Sequence, residues 1–82
     1  MKLKVYGIPY MGRYRRIVAT TSWAKAAEAI GVGVRYARDY GSITGNESEI
    51  FVAMSSPGDA FQAKNEWRTY KEWEKVQRAR NG

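Results

Sequence analysis

The stretch Ser22–Tyr40, SWAKAAEAIGVGVRYARDY, decides how the rest of the chain is read. Ser22 can accept from a free amide of a first helical turn, which makes it an N-cap. Trp23, Ala26, Ala27 and Ile30 recur at helical spacing and mark one apolar side. Gly31 stops that helix as a left-handed C-terminal residue. After Gly31-Val32-Gly33, a second helix is expected from about Val34 to Tyr40, with Gly41 as its stop. Val34, Ala37 and Tyr40 would face the core. Arg35 and Arg38, three apart, share an outer edge.

Upstream, Lys2 to Ile8 alternates like a strand, Pro9-Tyr10-Met11-Gly12 reads as a turn, and Tyr14 to Thr21 is a second strand rich in Ile, Val, Thr and Tyr. The two should pair as a hairpin. Downstream, Asn46 and Glu49 make a capping-box-like pair that favours helix over Glu47–Met54. The strand propensity of Ile50-Phe51-Val52 opposes that reading, and the specific cap outweighs it. Ser56-Pro57-Gly58-Asp59 is a turn, and Ala60 to Lys64 a short third strand. The tail from Asn65 to Arg80 has a capping Asn and no internal Gly or Pro, and is expected to be helical. Its Trp67, Tyr70, Trp73 and Val76 recur every three residues, so the apolar stripe drifts around the helix and part is left for a partner.

Together these segments predict one domain over 1–82, of the α+β class. Its order would be ββαα(α)βα, a β-hairpin plus a short third strand with helices packed on one face. A chain of 82 residues has a small core. Three Trp, six Tyr and two Phe compensate with large buried areas. No disulfide can staple it, because there is no cysteine. Histidine is absent too, which removes the usual metal ligands and the usual neutral-pH base. No segment has the length and apolarity of a signal peptide or a membrane span, so a cytoplasmic protein is expected.

The net charge of +6 is unevenly spread. Residues 1–38 carry Lys2, Lys4, Arg13, Arg15, Arg16, Lys25, Arg35 and Arg38 against Glu28 alone. Residues 39–63 hold Asp39, Glu47, Glu49 and Asp59 and no base, and the remainder is basic again. A basic first half attracts phosphate or an acidic protein surface, although such charge also serves simple solubility.

Two constellations could carry binding. In the first, Ala27 and Gly31 keep the interval that helix-turn-helix motifs place between a small residue and the turn glycine. Ala26, Ile30, Val32, Ala37 and Tyr40 fill the flanking apolar positions. The run AAEAIGVGVRYARDY thus resembles the corresponding stretch of many bacterial and phage DNA-binding proteins. That resemblance would direct Gly33, Arg35, Tyr36 and Arg38 to a groove, where Arg bonds guanine edges or phosphate. A strand leading straight into the first helix, and an acidic segment after the second, count against it. The competing reading is two packed helices with solvated arginines. The second constellation is Arg13, Arg15 and Arg16 with Tyr10 and Tyr14, a basic-aromatic cluster of the kind that binds nucleic acid. It also fits a sheet edge kept soluble by charge.

Enzyme signatures fail. Tyr6-Gly7-Ile8 and Tyr10-Met11-Gly12 lie too close together for a GIY-YIG nuclease. Asp59 lies too close to Lys64 for a PD-(D/E)xK nuclease. Glu47 and Glu49, two apart on a helix, diverge. No nucleophile–base pair or phosphate loop is present. A protein without catalysis, metal or cofactor is expected.

The run RIVATTSWAKAAEAIGV, then RDYGSITGNESEI and AMSSPG, resembles a group of short, mostly uncharacterised phage and mobile-element proteins over residues 16–58. No activity or site residue travels with that resemblance. It implies a setting, in which small accessory proteins bind host targets or block defence complexes, as anti-CRISPR proteins do. Two functions follow as expectations. The first is nucleic-acid binding through Arg35, Tyr36 and Arg38, supported by Arg13, Arg15 and Arg16. The alternative is inhibition of a host protein or defence complex, with Trp67, Tyr70 and Trp73 as the contact.

Overall fold

A computed structural model describes residues 2–64 and 73–76. The chain is α+β, as its patterning predicts. Its elements are β1 (Lys4–Tyr10), β2 (Tyr14–Thr20), α1 (Trp23–Ile30), α2 (Val34–Tyr40), β3 (Ser42–Ile43), α3 (Glu47–Met54), β4 (Phe61–Lys64) and β5 (Glu74–Lys75). The strands form one antiparallel sheet in the order β3-β1-β2-β4-β5.

The hairpin forms with Lys4 opposite Thr20 and Tyr10 opposite Tyr14. Its turn lies later than the sequence suggests, because β1 continues through Pro9. That proline is tolerated because β3 pairs only with Tyr6 and Gly7. The Pro9 carbonyl instead accepts the Tyr36 hydroxyl at 2.9 Å.

The caps read at Ser22, Gly31 and Asn46 are in place, and Asn65 lies outside the described residues. Ser22 Oγ accepts from the Lys25 amide at 3.2 Å, and Gly31 closes α1 at φ 93°. Asn46 Oδ1 accepts from the Glu49 amide at 3.1 Å, so residues 47–54 are helix despite their strand propensity. The return arm of the capping box runs through a third residue. The Asn46 amide donates to Thr44 Oγ1 at 3.1 Å, and that hydroxyl donates to Glu49 Oε1 at 2.7 Å.

The helices do not share one face of the sheet. Tyr6, Ile8 and Val18 pack with Ala26, Ala27, Ala29, Ile30 and Ala37 of α1 and α2. Val5, Ile17 and Ala19 pack on the other side with Ala53 of α3 and Phe61. The reason lies in β2, where Ile17, Val18, Ala19 and Thr20 are buried in succession. Alternation sends successive side chains to opposite faces, so a continuous buried run needs cover on both. The small residues of α1 let it approach the sheet closely, and Trp23 meets Tyr6 edge-on with centroids 4.7 Å apart. Full burial of Ile8, Ile17, Val18 and Ile30 contributes about 1.5–3 kcal/mol each.

Two further expectations change. Ala37 of α2 is fully buried, but Val34 and Tyr40 are 46% and 66% exposed. On a helix of two turns, the sheet accommodates one small residue, and the flanking positions stay outside. The expected tail helix does not extend through Trp73–Val76. There Glu74 and Lys75 pair with Gln62 and Phe61, and the Val76 amide donates to the Ala60 carbonyl at 2.7 Å. An edge strand satisfies the backbone of β4, which local helix propensity does not weigh. The rest of that expected helix lies outside the described residues.

Candidate nucleic-acid interface

The basic-aromatic cluster on the hairpin is taken apart by strand alternation. Arg13 is exposed in the turn, while Arg15 and Arg16 leave β2 on opposite faces. Arg15 reaches α3, where Nε donates to Glu49 Oε2 at 2.6 Å and Nη2 to Oε1 at 3.1 Å. Such a two-pronged pair is among the stronger charge-assisted contacts. Glu49 is buried, at 7% exposure, and also accepts from Thr44, so its carboxylate ties β2, α3 and the loop before α3 together. Gly7 makes room for this pair. A Cβ there would run into the Arg15 guanidinium.

Arg16 turns toward α1. Its Nη1 donates to the Ile30 carbonyl at 2.6 Å and its Nε to Gln62 Oε1 at 2.7 Å. Its guanidinium lies 3.6 Å from the centroid of the Tyr10 ring. A cation at the last turn of α1 also suits the negative end of the helix dipole. Arg15, Arg16 and the covered face of Tyr10 are thus engaged in holding the layers to the sheet.

Helix α2 is different. Arg35, Tyr36, Arg38, Asp39 and Tyr40 are all exposed, and Ala37 is its one buried residue. The Tyr36 and Tyr40 rings lie 4.9 Å apart, tilted by 44°. The hydroxyl of Tyr36 is held by Pro9, which fixes the ring against the sheet edge. Tyr40, expected in the core, is therefore a surface residue. Its i, i+4 spacing from Tyr36 could have suggested a paired outer stripe.

The sheet also sorts charge. Lys25, Arg35 and Arg38 are exposed on α1 and α2, with Glu28 and Asp39 among them. By alternation, Lys4 and Lys64 stand on that same side of the sheet, as does Glu74 through its pairing with Gln62, while Lys75, paired with Phe61, stands on the other. The acidic segment lies on the other side, where α3 carries Glu47 and the Arg15-bound Glu49 and no base.

Of the residues expected to contact a protein partner, Trp73 is half-buried against the core beneath α3. Trp67 and Tyr70 lie outside the described residues. Near Trp73, Lys75 Nζ pairs with Asp59 Oδ2 at 3.4 Å, linking the β5 edge to the loop before β4. Among the described residues, no helix is long and apolar enough to cross a membrane. Compared with protein-family models, curated proteins and solved structures, the chain matches none.

Proposed function

We propose that this chain binds nucleic acid through the outer face of α2, with Arg35 and Arg38 contacting phosphate and Arg13 extending the reach at the hairpin turn. The observation that carries this reading is that the acids of α3 sit behind the sheet, away from α2. The acidic segment, which in sequence follows α2 directly and would repel phosphate, folds onto the opposite layer. Asp39 is the acid that remains on α2 itself. One buried alanine leaves most of α2 free to approach a ligand.

Fluorescence anisotropy with labelled DNA over a salt series tests it. Joint substitution Arg35→Ala and Arg38→Ala is expected to weaken binding at least tenfold at about 50 mM salt and to reduce the log–log salt slope by roughly 1.5–2. Arg16→Met serves as the control. It should lower folding stability by about 1–2 kcal/mol, through the lost bonds to Ile30 and Gln62, and leave the slope unchanged. Absence of any binding at low salt, where phosphate contacts are strongest, would sink the proposal.

A second reading, inhibition of a host protein or defence complex, is favoured by Phe51. It is 79% exposed on α3, with Met54 one turn on at 38%. An aromatic in that position suits a protein partner better than a nucleic acid, because its layer is acidic. Capture of one defined protein by the wild type, abolished by Phe51→Ser, supports it. Unchanged capture removes it.

A further inference from the structure

The tyrosine pair on α2 separates two kinds of nucleic acid. Tyr40 is 66% exposed and Tyr36 36% exposed, and their rings lie 4.9 Å apart. Neither ring floats free. Tyr36 is anchored by its hydroxyl on the Pro9 carbonyl at 2.9 Å. Tyr40 is followed by Gly41, whose amide donates to the Ala37 carbonyl at 2.8 Å and where an added Cβ would run into Ile8 and the Gly7 carbonyl. The backbone on the C-terminal side of Tyr40 is therefore clamped to the sheet. Arg35 and Arg38 are exposed on the same two turns, about 140–160° around the helix from Tyr40, with Asp39 between the tyrosines and Arg35.

A duplex has little use for such an arrangement. Its bases are stacked on one another, and a protein meets only their edges in the grooves. A helix of seven residues is also only about 10 Å long. The Tyr36 hydroxyl, which could have served a phosphate, already donates to Pro9. A single strand offers what the duplex hides. Its base faces can stack on an exposed aromatic ring while neighbouring arginines hold the phosphates.

We infer that the preferred ligand of this surface is single-stranded nucleic acid, with a base stacked on Tyr40, Tyr36 buttressing that ring, and the strand continuing around α2 to bring its phosphates to Arg35 and Arg38. The inference rests on the nucleic-acid reading above and names its substrate class.

The test compares an oligo-dT strand of about 16 nucleotides, an abasic strand of equal length and a duplex of equal length, by anisotropy at fixed low salt. The abasic strand keeps the phosphates and lacks the faces to stack. The wild type should bind oligo-dT about tenfold or more tighter than the abasic strand and more tightly than the duplex. Tyr40→Ala should lose most of that advantage, and Tyr40→Phe should keep it, because stacking needs the ring and not the hydroxyl. Far-UV circular dichroism of both variants should match the wild type, given how little of Tyr40 is buried. Equal affinity for oligo-dT and the abasic strand overturns the inference and leaves phosphate binding by α2 standing. A stronger preference for the duplex does the same. If no strand of any kind binds, the nucleic-acid reading itself falls. If light scattering shows that Tyr40→Ala converts a dimer to a monomer while oligo-dT affinity is unchanged, the ring serves self-association and the inference is overturned.

Discussion

Replacing Glu49 with alanine should cost about 3 kcal/mol of folding stability, toward the lower end of what breaking a buried ion pair costs. The carboxylate is the point where three segments meet. It takes two bonds from Arg15 on β2 and one from the Thr44 hydroxyl, while the Glu49 amide is held by Asn46. The substitution takes the Glu49 carboxylate away from an Arg15 side chain that is only 23% exposed. A cation in that setting without this carboxylate is the largest part of the expected cost; its partial exposure keeps the figure from rising further. A domain of 82 residues has a total stability of roughly 4–12 kcal/mol, so the loss is a large share of it. Urea unfolding should show a lower midpoint at an unchanged slope. The double variant Arg15→Met, Glu49→Leu should recover most of the loss, because it removes both charges and keeps packing volume. If Glu49→Ala unfolds at the wild-type midpoint, the pair does not anchor α3.

The second large effect is expected at Gly41. The residue ends α2 in extended conformation, at φ −92°, so its role is not a left-handed turn. Its role is space. A Cβ at Gly41 would lie 2.5 Å from the Ala37 carbonyl oxygen and 2.6 Å from Ile8 Cγ1. The first is backbone of α2, and the second belongs to a fully buried isoleucine of β1. Neither can swing aside as the end of an exposed side chain would. Gly41→Ala should therefore cost about 2–3 kcal/mol through overpacking, by lifting the end of α2 from the sheet. Gly45→Ala is the matched control: nothing stands within 4 Å of a Cβ there. It should change the thermal midpoint little. Because Tyr40 precedes the clamp, Gly41→Ala should also weaken binding by the α2 face. Equal midpoints for the two variants would refute the close approach.

Much of the fold was legible because its signals are local. Ser22, Gly31 and Asn46 mark helix ends by satisfying backbone groups within a few residues of themselves. The hairpin, both short helices, α3 and the strand ending at Lys64 follow from such marks and from periodicity. The cover on both faces of the sheet was legible in principle. The four successive buried residues of β2 are a pattern that only a sheet covered on both sides tolerates.

The candidate site was less legible, because residue type does not say where a charge ends up. Arg13, Arg15, Arg16, Arg35 and Arg38 look alike as a list of bases. Alternation along β2 sends Arg15 to Glu49, thirty-four residues away, and Arg16 to the end of α1 and to Gln62, forty-six residues away. Tyr40 has the spacing of a core residue and the exposure of a surface one, because Ala37 is the one residue of α2 that is buried. The short strand at Ser42–Ile43 and the pairing of Glu74 and Lys75 exist only as partners to strands already placed.

The sequence by itself determined the class of the fold, the ends of its helices, the hairpin and the basic character of its first half, since each depends on contacts within a turn or on composition. The tertiary structure alone decided that α3 crosses to the far face, taking its acids with it, that two arginines brace the layers, and that α2 stands out with Arg35, Arg38 and its tyrosine pair exposed. Those outcomes rest on partners far apart in the chain, and a local pattern carries no information about which distant carboxylate, carbonyl or ring a side chain will meet.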